Sequence, residues 1–286
     1  MTITSRHNPL VARFRDAARG DAGAVMLLDG PHLVGDALAA KIVVTLAAVT
    51  QASLAKPDIH ELVTTLSQRG INVATVTAAV MDAISPLRSP SGIVALADRP
   101  AARMHDIYAR PAPLAVLAVD VQDPGNLGAI VRVAEAAGAT GVVAAGASAN
   151  PFGWKALRGS MGSALRLPIG GGDPQAAVDG ARRHRCRIVA TMPRAGRMLF
   201  EIDLTGPIAL LIGGEGAGLP EHILAMADER VTIPMQPPVE SLNAAVTAAV
   251  VLYEARRQRS TTTRSETRAR SGPSTRPEPT REKTTV

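Results

Sequence analysis

A single cysteine, Cys186, occurs in 286 residues. Neither a disulfide framework nor a zinc ribbon can be built on one thiol. Aromatic residues make up only 2% of the chain, as three Phe, two Tyr and one Trp. Single-strand binders that stack successive bases on aromatic platforms need more. No apolar run reaches the roughly 18 residues that span a bilayer. Arg6, Arg13 and Arg15 stand near the start with no apolar stretch behind them, so a secretory signal is not expected. The six histidines show no metal-ligand spacing, and no metal is expected. These absences lead to the expectation of a soluble, cytoplasmic protein without a membrane segment.

Hydrophobic residues reach 46% and charged residues 20%, enough apolar material for a sizeable core. The net charge is +6, which points towards a polyanionic partner. Its distribution weakens the hint, because residues 260–286 hold six basic and three acidic residues, half of the excess. That stretch is rich in Thr, Ser, Arg and Pro without apolar periodicity, and reads as a disordered basic tail. Prolines bracket residues 98–113 and suit a linker. Three regions follow: 1–107, 112–259 and 260–286.

The first region mixes short β-like runs (Val25–Gly30, Ile42–Thr50, Ile71–Val76, Ile93–Ala97) with helical spacing at Val34–Ala40 and Glu61–Arg69. It reads as a small α/β unit. The second alternates more cleanly. Leu114–Val121 is a continuous apolar run, as in a strand buried on both faces. Leu127–Ala137 has helical spacing and stops at Gly138. Further strands are read at 141–145, 188–191, 207–212 and 231–233, with helices at 175–183 and 242–259. Such alternation predicts a mostly parallel α/β sheet with helices on both faces, and ligands at loops beyond the carboxyl ends of the strands.

Three loops after strands carry the candidate chemistry. In Asp123-Pro-Gly-Asn-Leu-Gly-Ala-Ile-Val-Arg132, Asn126 is read as the cap of the next helix, with Arg132 in its second turn and Glu135 placed to pair with it. Leu211-Ile-Gly-Gly-Glu-Gly-Ala-Gly-Leu-Pro implies close backbone approach or turns through positive φ. It is not a dinucleotide fingerprint: starting from Gly214 and Gly216, that pattern needs glycine where Leu219 stands. It also lacks the G-K-[ST] of a phosphate-binding loop, and Glu215 would repel phosphate, so a cationic or polar ligand fits better. In Ile233-Pro-Met-Gln-Pro-Pro-Val-Glu-Ser-Leu-Asn243, Ser241 is read as the cap of the last helix. Asn243, a poor helix former in the first turn, points to a second role.

Together these segments resemble the three motifs of the SpoU (TrmH-like) family of RNA ribose 2'-O-methyltransferases, of the SPOUT class. Asn126-Leu-Gly-Ala-Ile-Val-Arg132 resembles the first motif and Ile212-Gly-Gly-Glu-Gly-Ala-Gly-Leu the second. Ile233-Pro-Met with Ser241-Leu-Asn243 resembles the third. Ile3-Thr-Ser-Arg-His-Asn-Pro and Leu28-Asp-Gly-Pro-His-Leu-Val are similar to the family's N-terminal RNA-binding domain. Where many relatives carry a more basic run, this chain has Arg19-Gly-Asp-Ala-Gly-Ala.

The resemblance implies a fold with a C-terminal trefoil knot, a homodimer, and S-adenosylmethionine as cofactor. Leu211, Gly213, Gly214, Ile233, Met235 and Leu242 would contact it. It gives Arg132 the role of activating the ribose hydroxyl. Because arginine stays protonated, stabilising the developing alkoxide and holding the adjacent phosphate fit Arg132 better than a literal base. Asn126 and Glu215 would orient, and Ser241 and Asn243 organise. Ribosomal RNA is the preferred substrate. Transfer RNA and a non-catalytic RNA-binding role are the alternatives.

Overall fold

The computed structural model describes residues 2–101 and 104–270, with side chains through 261. The chain builds two sheets. The first unit contains strands β1 (Thr2–Ile3), β2 (Val25–Asp29), β3 (Val44–Thr50), β4 (Asn72–Val76) and β5 (Ile93–Asp98). Its helices are α1 (Pro9–Arg19), α2 (Pro31–Ala39), α3 (Pro57–Gln68) and α4 (Ala78–Ile84). The strand order is β1-β4-β3-β5-β2, with β1, β4 and β3 parallel and β5 antiparallel to both its neighbours. Alternate residues of one strand enter different cores. Met26 and Leu28 face the cluster containing α2, while Leu27 faces the cluster of Val11, Phe14, Val80 and Ile84 from α1 and α4.

α5 (Met104–Ile107) leads to the second unit, whose strands are β6 (Leu114–Val119), β7 (Gly141–Ala145), β8 (Ile169–Gly172), β9 (Arg187–Met192), β10 (Arg197–Met198), β11 (Ile208–Gly213) and β12 (Glu229–Thr232). Its helices are α6 (Pro124–Ala137), α7 (Trp154–Ser160), α8 (Ser163–Arg166), α9 (Pro174–Arg183), α10 (Glu221–Leu224) and α11 (Ala244–Arg270). The order β10-β12-β9-β11-β6-β7-β8 is parallel at every pairing. All six residues of central β6 are buried, as its unbroken apolar run requires.

Three expectations change. The stretch read as a linker is partly core: Ile107 and Tyr108 are buried with the second sheet, and Tyr108 stacks on His184 at 4.7 Å. The apolar cluster containing α2 is continuous with that under α6 and α11, so the two units share one core. The last helix runs on to Arg270, into the region read as a disordered tail. The rest of that region, and residues 102 and 103 of the linker, lie outside the described residues.

Candidate active site

β9, β11 and β12 lie side by side, and the loops beyond their carboxyl ends enclose a cleft of about 500 Å³. That is within the usual size of a small-molecule site. Ile212, Leu219, Ile233, Met235 and Leu242 give it apolar walls. The segment from Gly213 to Gly218 supplies a wall of backbone, and Thr191–Pro193 close the side towards β9. Among the described residues its charged lining is two carboxylates, Glu215 and Glu221, with no lysine or arginine facing it.

The glycine loop needs its glycines for two separate reasons. Gly216 and Gly218 have φ of +83° and +69°, where a side chain is strained. At Gly214 a Cβ would lie 2.1 Å from the carbonyl oxygen of Asp120, and at Gly213 it would lie 2.5 Å from the carbonyl carbon of Gly218. The close approach read from the sequence is thus backbone against backbone within the chain. It presses the loop onto the end of β6 and leaves its outer side to the cleft.

Side chains from all three candidate loops meet at this rim. Asn126 donates its amide to Glu215 Oε1. Asn243 Nδ2 donates to Asn126 Oδ1 at 3.0 Å, and Asn243 Oδ1 accepts from the backbone N–H groups of Ala245 at 2.9 Å and Val246 at 3.3 Å. The polarity of this relay is forced at both ends. A carboxylate only accepts, so Asn126 turns its NH₂ to Glu215 and its oxygen to Asn243. The helix N-terminus only donates, so Asn243 turns its oxygen to α11.

Both helix caps differ from the sequence reading. Asp123, not Asn126, caps α6 and accepts from Asn126 N at 2.7 Å, with Pro124 in the first turn. Asn243, not Ser241, caps α11. Each shift frees a side chain for the rim. Asn126 is released to bridge Glu215 and Asn243, while Ser241 lines the cleft.

Other expected positions separate. Leu211 does not line the cleft. Neighbouring strand residues point to opposite faces, so Ile212 takes that place while buried Leu211 offers its carbonyl to the Thr191 hydroxyl at 3.0 Å. Arg132 stands on the exposed side of α6, outside the cleft lining, with no hydrogen bond or ion pair among the described residues. Its expected partner Glu135 is instead held bidentately by Arg166 at 2.8 Å and 2.8 Å. Burial pushes the Glu135 carboxyl up, but the bonds from Arg166 and Ser163 outweigh it and hold the group below its ordinary value. The basic run at 182–187 is partly spent within the fold: Arg182 donates to Met226 O at 2.6 Å and Arg187 pairs with Glu229 at 2.9 Å. Thr191, Met192 and Pro193 were not singled out in the sequence, where the end of β9 offers no glycine or motif. Among the described residues no group of His, Cys, Asp or Glu is arranged to hold a metal, and no helix is long and apolar enough to cross a membrane.

Residues 113–253 match the SpoU rRNA methylase family, and residues 27–102 match the family described as RNA 2'-O ribose methyltransferase substrate binding. The chain belongs to the SpoU methylase family. It is 34% identical over 267 residues to an uncharacterized tRNA/rRNA methyltransferase of Synechocystis, covering 90% of this chain and 94% of that protein. It is 31% identical to RlmP of Bacillus subtilis, a 23S rRNA guanosine 2'-O-methyltransferase, over 80% of this chain and 88% of that one. The crystal structure of an AdoMet-bound rRNA methyltransferase from Sinorhizobium meliloti superposes with a TM-score of 0.80 at 29% identity, over 90% of this chain and 97% of that one.

Proposed function

We propose that this SpoU-family protein transfers the methyl group of S-adenosylmethionine to a ribose 2'-hydroxyl of ribosomal RNA. The observation that carries the reading is the cleft itself, which is apolar, walled by glycine backbone, free of basic side chains and closed at its rim by the Glu215–Asn126–Asn243 relay. A nucleotide phosphate would meet two carboxylates there and no cation. A phosphate-free, positively charged sulfonium nucleoside fits the same lining. Gly213, Gly214, Ile233, Met235 and Leu242 would hold it. S-adenosylmethionine, when bound, supplies an electrophilic methyl.

The chain's own part is alignment and charge. In the transfer the ribose 2'-oxygen would gain the methyl as the sulfur–methyl bond breaks to leave S-adenosylhomocysteine, and the hydroxyl proton would pass to bulk water. Asn126, fixed at both ends of its amide, holds the rim where the ribose enters. Arg132, whose guanidinium has no partner among the described residues, takes the phosphate beside that ribose and stabilises the alkoxide as it develops. Ser241 and Asn243 set the third loop against the first. The unit from 1 to 107 would bind RNA and the unit from 112 to 259 would methylate it.

The same reading carries a homodimer, a trefoil knot and a cytoplasmic site of action. Val246 and Tyr253, one heptad apart on α11 and 47% and 52% exposed, support a dimer face on that helix.

The test is methyl transfer from labelled S-adenosylmethionine into large-subunit rRNA, ribosomal particles and bulk tRNA, with nucleoside analysis. A 2'-O-methylated nucleoside from rRNA is expected. Label on a base would overturn the mechanism, and label in tRNA alone would overturn the substrate.

A further inference from the structure

α1 and α4 cover the face of the first sheet turned away from α2, and α2 is the helix whose Asp36 reaches Arg166 of the second unit at 3.6 Å. This outer layer carries arginines in two different states. Arg19 is neutralised by Asp16 and by Asp21, the latter at 2.9 Å. Arg6 and Arg15 are held without being neutralised: Arg6 Nε donates to Ala79 O at 3.0 Å and Arg15 Nε to Ala83 O at 3.1 Å. Both side chains are exposed, and no carboxylate among the described residues lies within ion-pairing distance of either, Asp82 of α4 included. Each guanidinium spends its inner N–H on a carbonyl and keeps its four outer N–H donors.

The two anchoring carbonyls stand four residues apart on α4, about one helical turn or 6 Å along its axis. Arg13 and Arg88, exposed and unpaired among the described residues, add charge to α1 and to the loop after α4. Arg19 is matched by carboxylates, whereas Arg6 and Arg15 keep an open charge. Fixing the fork while leaving its charge open lowers the entropy lost on gripping an oxyanion, and the planar fork suits phosphate.

We propose that the seam between α1 and α4 is a phosphate-binding surface for a folded RNA, with Arg6 and Arg15 as its two fixed contacts on neighbouring phosphates. This rests on the rRNA reading above and deepens it. The first sheet lies between the seam and the second unit, whose α7 packs on β2, so α1 stands on the order of 20 Å from α7. RNA gripped here is therefore held on the face of the first sheet turned away from α2, and an RNA that also enters the cleft must reach around that sheet.

The test compares the full-length protein with Arg6→Gln/Arg15→Gln and Arg6→Lys/Arg15→Lys double variants. RNA binding is read by fluorescence anisotropy against large-subunit rRNA fragments of decreasing length, over a salt series. With long fragments the Gln pair is expected to bind about tenfold more weakly and to lose about 1.5 from the log–log salt slope, as two phosphate contacts require. The Lys pair should keep most of the slope and lose affinity a few-fold. The difference from the unaltered protein should vanish on fragments too short to reach the seam, and S-adenosylhomocysteine binding should not change. An unaltered slope in the Gln pair overturns the proposal. So does an equal loss on the shortest fragments. If the Gln pair melts early, the Lys pair decides, and unaltered long-fragment affinity there refutes the fork contacts. Anisotropy needs no turnover, so failure of the methyltransferase reading would show separately as intact RNA binding without methylated nucleoside.

Discussion

Asn243→Asp should separate stability from activity, because Asn243 does two jobs with its two side-chain atoms. Its oxygen caps α11 at 2.9 Å and 3.3 Å, and its NH₂ supports Asn126 at 3.0 Å. Aspartate keeps the capping oxygen, and a negative charge at a helix N-terminus contributes roughly 0.3–1 kcal/mol. Stability should therefore hold or rise slightly. The second oxygen, however, now faces Asn126 Oδ1, acceptor against acceptor. Asn126 cannot escape by turning its amide, since its oxygen would then face Glu215. One hydrogen bond of about 1 kcal/mol is lost, and water relieves most of the opposed acceptor because Asn243 is exposed, for a total of roughly 1–1.5 kcal/mol. That corresponds to about 5- to 10-fold in kcat/KM if the relay supports the transition state. Asn243→Ala should lose activity similarly and also lose the cap, about 1 kcal/mol, lowering Tm by roughly 2–4 °C. Thermal melts with methyl-transfer kinetics at pH 8 make the measurement. If Asn243→Asp melts as early as Asn243→Ala, or keeps full activity at pH 8, the relay argument is wrong.

Arg132→Ala should leave Tm and S-adenosylhomocysteine affinity nearly unchanged, since the side chain is exposed and unpaired among the described residues, while turnover falls at least 100-fold. Comparable losses of cofactor affinity and turnover would refute its role at the hydroxyl. Gly214→Ala places a Cβ 2.1 Å from the Asp120 carbonyl oxygen, so the loop must move. A stability loss of about 1–3 kcal/mol and weaker cofactor binding by calorimetry are expected. Glu135 has a lowered pKa in the folded protein, so its bond to Arg166 stabilises above the ordinary carboxylate value and is lost as pH falls through the folded value. Glu135→Gln should lower Tm at pH 7, with the gap to the unaltered protein closing on acidification. A gap independent of pH would show that the charge contributes nothing.

The second sheet was legible because its strands are long apolar runs separated by helices with glycine stops, as at Gly138, where φ is +82°. β8 was not, since Ile-Gly-Gly-Gly carries no pattern of its own and is a strand only through its ladder to β7. β1 and β10, two residues each, exist for the same reason. α1 was overlooked although its ends carry signals, Asn8 as cap, Pro9 in the first turn and Gly20 in the left-handed region. The residues of the rim were found from the sequence, but their partners were not. Spacing along one helix suggested Arg132 with Glu135, whereas the contacts that form join loops 117 and 89 residues apart.

The two misplaced caps explain how the rim is built. Two of the three candidate loops offer two polar residues near a helix start, Asp123 and Asn126 in one, Ser241 and Asn243 in the other. Local rules rank them almost equally. What separates them is the rest of the fold. Glu215, raised on a loop that glycines press against β6, needs a donor, and the Asn126 amide both gives a hydrogen bond to that carboxylate and accepts one from Asn243. A capping Asn126 would have spent its oxygen on the backbone and left Asn243 Nδ2 without an acceptor. Capping by Asp123 frees that oxygen, so the start of α6, the glycine loop and the start of α11 become one hydrogen-bonded unit. The loops that wall the cleft are therefore locked to the helix that carries Arg132. A perturbation at any one of Glu215, Asn126 or Asn243 should be felt at the other two, so double variants among them should lose less than the sum of the single losses.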